Sequence, residues 1–324
     1  MNAALIPFIF FIIGLLMVLK GADYLVDGAS SAAKRLNISE IVIGLTIVSF
    51  GTSAPELIVN VLSSLKHKNE IVLGNIIGSN IFNTLLILGV AGIIYPLTVA
   101  KNTVFKEIPF SLLAVVLIFI LGNDNFFNPD KINIISALDG VIMLVLFALF
   151  MFYIYRISKE TENNTECGSD IKLMSITKSV IFILIGVIGL FLGGKIVVDN
   201  AVEIARLFGV SEKLIALTII SGGTSLPELA TSAVAAFKKN SDIAIGNIVG
   251  SNIFNVFWIL GLSAFISPIT YDTVFNMDLF VLIGSTVILF LFMFTLCRNK
   301  LDRTEAFIFL MLYFVYTFFI IYRK

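Results

Sequence analysis

Two ten-residue stretches, GNIIGSNIFN at Gly74–Asn83 and GNIVGSNIFN at Gly246–Asn255, differ at one position and lie 172 residues apart. The same offset relates GTSAPE (Gly51–Glu56) to GTSLPE (Gly223–Glu228). It also pairs Asp27 with Asp199, Ser39-Glu40 with Ser211-Glu212, and Pro96 with Pro268. A constant, gap-free offset marks an internal duplication, so the chain must build one architecture twice.

Composition says in what solvent. The 324 residues are 58% hydrophobic and 14% charged, with a mean hydropathy of +1.01. Soluble domains are about 45–50% apolar and about 25% charged. The chain reads as an all-α polytopic membrane protein. Its zero formal net charge argues against nucleic acid as a partner. Cys167 and Cys297 have no spacing suited to a disulfide framework or a thiolate metal site, and His67, between two lysines, reads as a loop residue. No basic residue precedes the apolar segment 4–19, and the second half holds a similar one, Gly186–Ala201, so the first reads as a retained helix rather than a signal peptide.

Spans of about 20 apolar residues can be placed at 4–30, 40–65, 71–95, 104–122, 134–156, 176–204, 213–237, 243–267, 275–297 and 304–322. These are ten transmembrane helices, five per copy. An odd number per copy makes the second copy enter from the opposite side, giving two inverted five-helix repeats. The expected organisation is a first repeat at 1–157, a cytoplasmic loop at 158–174, and a second, inverted repeat at 175–324. Ser158–Asp170 (SKETENNTECGSD) is the polar divider. Orientation rests on basic residues: thirteen flank the divider's side (Lys34, Arg35, Lys101, Lys106, Arg156, Lys159, Lys172, Lys178, Lys238, Lys239, Arg298, Lys300, Arg303). Seven lie opposite (Lys66, Lys68, Lys131, Arg206, Lys213, Arg323, Lys324). That bias puts the divider in the cytoplasm and both termini outside it.

In each GTSxPE copy a proline inside a span is expected to free a carbonyl, that of Gly51 or Gly223, beside a carboxylate. Thr52 and Glu56, like Thr224 and Glu228, are four residues apart and share a face if the turn stays helical. Ser79 and Asn83, and Ser251 and Asn255, have the same spacing. Packing alone could account for the small residues of GNxxGSN, but buried Asn83 and Asn255 need partners. A mid-membrane carboxylate is costly and marks a functional site; Lys20, Asp23 and Asp27 near a span's end read instead as a local ion pair or snorkelling group. Two carboxylates with hydroxyls and carbonyls, and neither imidazole nor thiolate, suit a hard cation such as Ca²⁺, or several Na⁺ sharing the same oxygens.

The paired motifs resemble the α-repeats of the Ca²⁺/cation antiporter superfamily, most closely its sodium/calcium exchangers. The resemblance implies a Na⁺/Ca²⁺ antiporter working by alternating access, with no enzymatic activity and no cofactor. It makes Glu56 and Glu228 the central Ca²⁺ ligands, helped by Thr52 and Thr224. Na⁺ would use Ser53, Ser79, Ser225 and Ser251 with backbone oxygens of Ser49 and Ser221, while Asn83 and Asn255 line the middle. It further implies sliding of the first and sixth helices over an eight-helix core, a monomer in the lipid bilayer, and a plasma-membrane location. Some exchangers, including archaeal and potassium-dependent members, carry aspartate where this chain has Asn255. That departure weakens K⁺ dependence and leaves a Ca²⁺/H⁺ antiporter as the alternative. An intramembrane hydrolase lacks a nucleophile and base, and a passive channel fits inverted duplication less well.

Overall fold

The computed structural model describes residues 2–127, 129–130, 132–160, 173–209, 221–295 and 298–322. Cys167, Cys297, Ser211, Glu212 and part of the expected span 213–237 lie outside the described residues.

With no water to satisfy the backbone in a bilayer, long apolar segments close their hydrogen bonds within helices. The helices are α1 (Asn2–Arg35), α2 (Glu40–Thr52), α3 (Ala54–Leu65), α4 (Asn69–Ile94), α5 (Thr103–Gly122) and α6 (Ala137–Glu160). They continue as α7 (Ile176–Leu207), α8 (Leu226–Phe237), α9 (Ser241–Ile266), α10 (Phe275–Phe292) and α11 (Arg303–Tyr322). Among the described residues eight helices are long and apolar enough to span a membrane, and α2 with α3, bent by 50°, makes a ninth. Of the expected span at 213–237, α8 is a 12-residue helix. This is an integral, multi-pass membrane protein.

α4 and α9, which carry the two GNxxGSNIFN copies, form the centre: 72% and 83% of their apolar stretches are buried, against 22% for α6 and α11. The outer helices turn Leu, Ile and Phe outward, which costs nothing in lipid. α1 and α7 are the longest helices, at 34 and 32 residues. At 1.5 Å per residue they run to about 50 Å, well beyond the hydrocarbon core. They pack on each other in opposite directions, Gly14 against Gly193, Gly21 against Gly186 and Gly28 against Ser179. A Cβ on Gly21 would stand 2.8 Å from the Leu190 nitrogen, so glycine is what lets the two backbones touch.

Two short antiparallel ribbons stitch the halves together. β1 (Leu97–Thr98) and β2 (Ile134–Ile135) precede α5 and α6, while β3 (Ile269–Thr270) and β4 (Lys300–Leu301) precede α10 and α11. β1 pairs with β4, Leu97 opposite Leu301, and β2 with β3, Ile135 opposite Ile269. Each first-half strand thus pairs with one from the second half.

Candidate ion-binding site

The GTSxPE copies break their spans, but not as the sequence suggests. α2 ends at Thr52, Ser53 leaves the helical conformation (φ −81, ψ 8), and Pro55 lies in the first turn of α3. There its missing N–H is harmless, because first-turn N–H groups have no intrahelical acceptor. Pro227 does the same after Ser225 (φ −91, ψ 10). The prolines therefore start helices rather than interrupt them. The break also separates Thr52 from Glu56: the Thr52 hydroxyl donates to Asn247 Oδ1 at 2.9 Å, on the other copy's helix.

Glu56 and Glu228, one turn past the breaks, are both fully buried. Each is held by the other copy. Ser53 Oγ donates to Glu228 Oε1 at 2.8 Å, and Ser225 Oγ to Glu56 Oε1 at 2.9 Å. Ser79 and Ser251 reach Glu56 and Glu228 respectively, each at 3.4 Å. Ser225 Oγ also lies 3.1 Å from Ser79 Oγ. The second oxygen of each carboxylate, Oε2, has no hydrogen-bond partner.

The asparagines close the floor between α4 and α9. Asn83 Nδ2 donates to Asn252 Oδ1 (3.1 Å) and Asn255 Nδ2 to Asn80 Oδ1 (2.9 Å), a reciprocal pair. Asn80 Nδ2 donates to the Asn252 carbonyl (3.2 Å). Asn83 and Asn255 lie in π-helical turns, Phe82–Ile87 and Phe254–Leu260. Such turns loosen the helical ladder and often sit at functional sites. Their Oδ1 atoms, like Thr224 Oγ1, are buried without a partner. Buried polar groups are normally satisfied. Carboxylate, amide and hydroxyl oxygens are the kinds of donor that a hard cation takes.

Of the expected residues, the structure brings together Glu56, Glu228, Ser53, Ser225, Ser79 and Ser251 by direct contact, with Thr52 next to Ser251 at 3.5 Å. The Ser49 carbonyl already accepts from Thr52 Oγ1 and the Ser53 N–H. Ser221 is helical, in Ser221–Gly223. Sequence reasoning passed over Asn247, whose amide donates to the Glu228 carbonyl (3.3 Å) and Ser232 Oγ (2.9 Å). It also passed over Asn80 and Asn252, although both stand inside the duplicated decapeptide. Lys20 approaches Asp23 only to 4.0 Å, and the real partner of Asp23 and Asp27 is Lys238, at 2.6 and 2.7 Å. His67 is exposed and its Nδ1 lies 3.0 Å from Ser267 Oγ.

The family described as "Sodium/calcium exchanger protein" matches residues 6–156 and 178–322. The protein CaxA of Alkalimonas amylolytica is 35% identical over 97% of this chain and 98% of its own length. Sodium/calcium exchanger MaX1 of Methanosarcina acetivorans is 30% identical over 95% and 96%. The solved sodium-calcium exchanger NCX_Mj, soaked with Na⁺ and Ca²⁺, superposes with a TM-score of 0.82 at 32% identity, covering 99% of both chains. One family model matched over two segments that take in both copies of the motif, with structural agreement over the whole length, decides the relationship: the chain belongs to the sodium/calcium exchanger family of membrane antiporters.

Proposed function

We propose that the protein exchanges Na⁺ for Ca²⁺ by alternating access to one central site, built by two inverted five-helix repeats, 1–157 and 175–324, joined by a cytoplasmic loop at 158–174. The observation that carries the reading is the reciprocal clamp on two fully buried carboxylates, each with one oxygen bare. Glu56 and Glu228 balance one Ca²⁺, with Thr52 and Thr224 as neutral ligands. When Ca²⁺ leaves, Na⁺ ions divide the same oxygens among themselves, using Ser53, Ser79, Ser225, Ser251 and the backbone oxygens of Ser49 and Ser221. Asn83 and Asn255 line the middle. Because the two cargoes need the same carboxylates, they exclude one another, which is the condition for coupled exchange.

The second reading is Ca²⁺/H⁺ exchange, favoured by the burial of both carboxylates: two such groups close together need not both stay ionised once the cation has gone. Uptake of ⁴⁵Ca²⁺ into proteoliposomes under imposed Na⁺, K⁺ or H⁺ gradients separates the readings. Uptake driven by Na⁺ alone is expected; uptake driven only by a pH gradient would replace the first reading with the second. Orientation has its own test. A membrane-impermeant thiol reagent on intact cells should leave Cys167 unlabelled, and rapid labelling would turn the topology over.

A further inference from the structure

The tie between α1 and α8 is a strong contact whose repeat-related counterpart is open. Lys238, at the end of α8, reaches Asp23 (2.6 Å) and Asp27 (2.7 Å) on successive turns of α1, and its Nζ also donates to the Asp23 carbonyl (3.2 Å). Asn240 Nδ2 adds a bond to Ser30 Oγ (2.9 Å). These residues lie on the face where Arg35 contacts the Met174 carbonyl. The offset of 172 maps Lys238 to Lys66 and Asp27 to Asp199, at the opposite end of the molecule. Among the described residues the side chains of Lys66 and Asp199 form no ion pair or hydrogen bond, and both are exposed. α1 packs along α8, whereas the equivalent pair, α7 and α3, barely touches. Both lysines are held alike: the turns after α3 and α8 end in residues at positive φ, His67 (53°) and Lys239 (60°).

An inverted duplication relates its two faces by a two-fold axis in the membrane plane, so exchanging the conformations of the two copies generates the opposite-facing state. The structure assigns Lys238, Asp23 and Asp27 as an ionic latch that holds α1 on one face, and Lys66 with Asp199 as the counterpart that closes on the other face when the protein turns over. These are positioning residues, remote from Glu56 and Glu228. The assignment rests on the alternating-access reading above. The two latches are unequal. Asp23 maps to Lys195, Ser30 to Val202 and Asn240 to Lys68, so the second latch has one carboxylate, a nearby lysine that repels Lys66, and no amide bond. The state with the first latch closed is therefore the favoured one.

The test pairs Lys66→Cys with Asp199→Cys in a Cys167→Ser/Cys297→Ser parent in proteoliposomes. A disulfide needs the two Cα atoms within about 7 Å, so its rate of formation reports the closed second latch. Asp23→Asn/Asp27→Asn should raise that rate about three- to tenfold, the range for an ion pair with two partners acting on a two-state equilibrium. Restoring one reversed pair, Asp27→Lys with Lys238→Asp in the Asp23→Asn background, should bring it back down. A role confined to stability on the first face would leave the opposite face unchanged. Normal ⁴⁵Ca²⁺ exchange in the parent with no disulfide under any gradient, or a rate indifferent to Asp23→Asn/Asp27→Asn, overturns the latch and leaves the exchanger reading standing. A disulfide that responds as expected in a parent that moves no Ca²⁺ supports the latch and counts against the exchanger reading alone.

Discussion

The two copies of the motif are nearly the same in sequence and unequal in surroundings. On α9, Asn247 is fully buried and joined to Thr52, Ser232 and the Glu228 carbonyl. Its equivalent on α4, Asn75, is half-buried and, among the described residues, accepts only from Ser79 Oγ at 3.2 Å, within its own helix. Thr224, the equivalent of Thr52, has a bare hydroxyl. Backbone spacing is close where α2 meets α9. A Cβ on Gly246 would sit 2.9 Å from Gly44 Cα, and one on Gly250 would sit 2.5 Å from Ser49 Oγ. One side of the site is therefore sealed by α2 lying on α9; the stretch that the repeat sets against α4 lies partly outside the described residues. Duplicated residues supply two equal sets of donors, while packing decides which set is engaged.

The carboxylates are where the copies should behave alike, and where the largest effect is expected. Glu56→Gln and Glu228→Gln each remove one unit of ligand charge at nearly constant volume. Folding should survive, because an amide is easier to bury than a carboxylate. Breaking a buried charge pair costs about 3–5 kcal/mol, so Na⁺-driven ⁴⁵Ca²⁺ uptake should fall on the order of a hundredfold or more in either variant. Near-normal uptake by both would make the glutamates structural; loss in only one would mean the site is not shared equally.

The asparagines should separate the copies. Asn247→Ala removes the bonds to Thr52, Ser232 and the Glu228 carbonyl at a fully buried position, at a cost of about 1–3 kcal/mol. Asn75→Ala removes a single bond at a half-buried position and should cost less than about 1 kcal/mol. Thermal unfolding of the two variants in detergent measures the difference directly. Equal losses would mean that the two asparagines carry the same load, contrary to their hydrogen bonds.

Asn255→Asp should have the mildest effect on uptake at neutral pH. It replaces an amide in the reciprocal asparagine pair with a group that can gain or lose a proton. The variant should be more sensitive to pH than the parent, since the added carboxylate carries charge only when deprotonated. Uptake followed across a pH series is the measurement; superimposable profiles for parent and variant would place Asn255 outside the field of the transported ion.

By itself the sequence determined the solvent, the duplication and the chemical character of the centre. Apolar length, a constant offset and two repeated carboxylates are local quantities, and a single chain displays them in full. Legible too were Glu56, Glu228 and the serines, because charge and hydroxyls in lipid demand a reason wherever they stand. Tertiary structure decided which copy each side chain serves. Ser53 belongs to Glu228 and Ser225 to Glu56, a crossing that spacing along one helix could not reveal because the partners are 175 and 169 residues apart. It moved Thr52 away from Glu56, since the break at Ser53 ends the shared helix face. It turned the prolines from interrupters into helix starters and gave Asp23 and Asp27 to Lys238 rather than Lys20. In each case the sequence supplied a polar group with a bond to make, and only the approach of a distant helix determined where that bond was made.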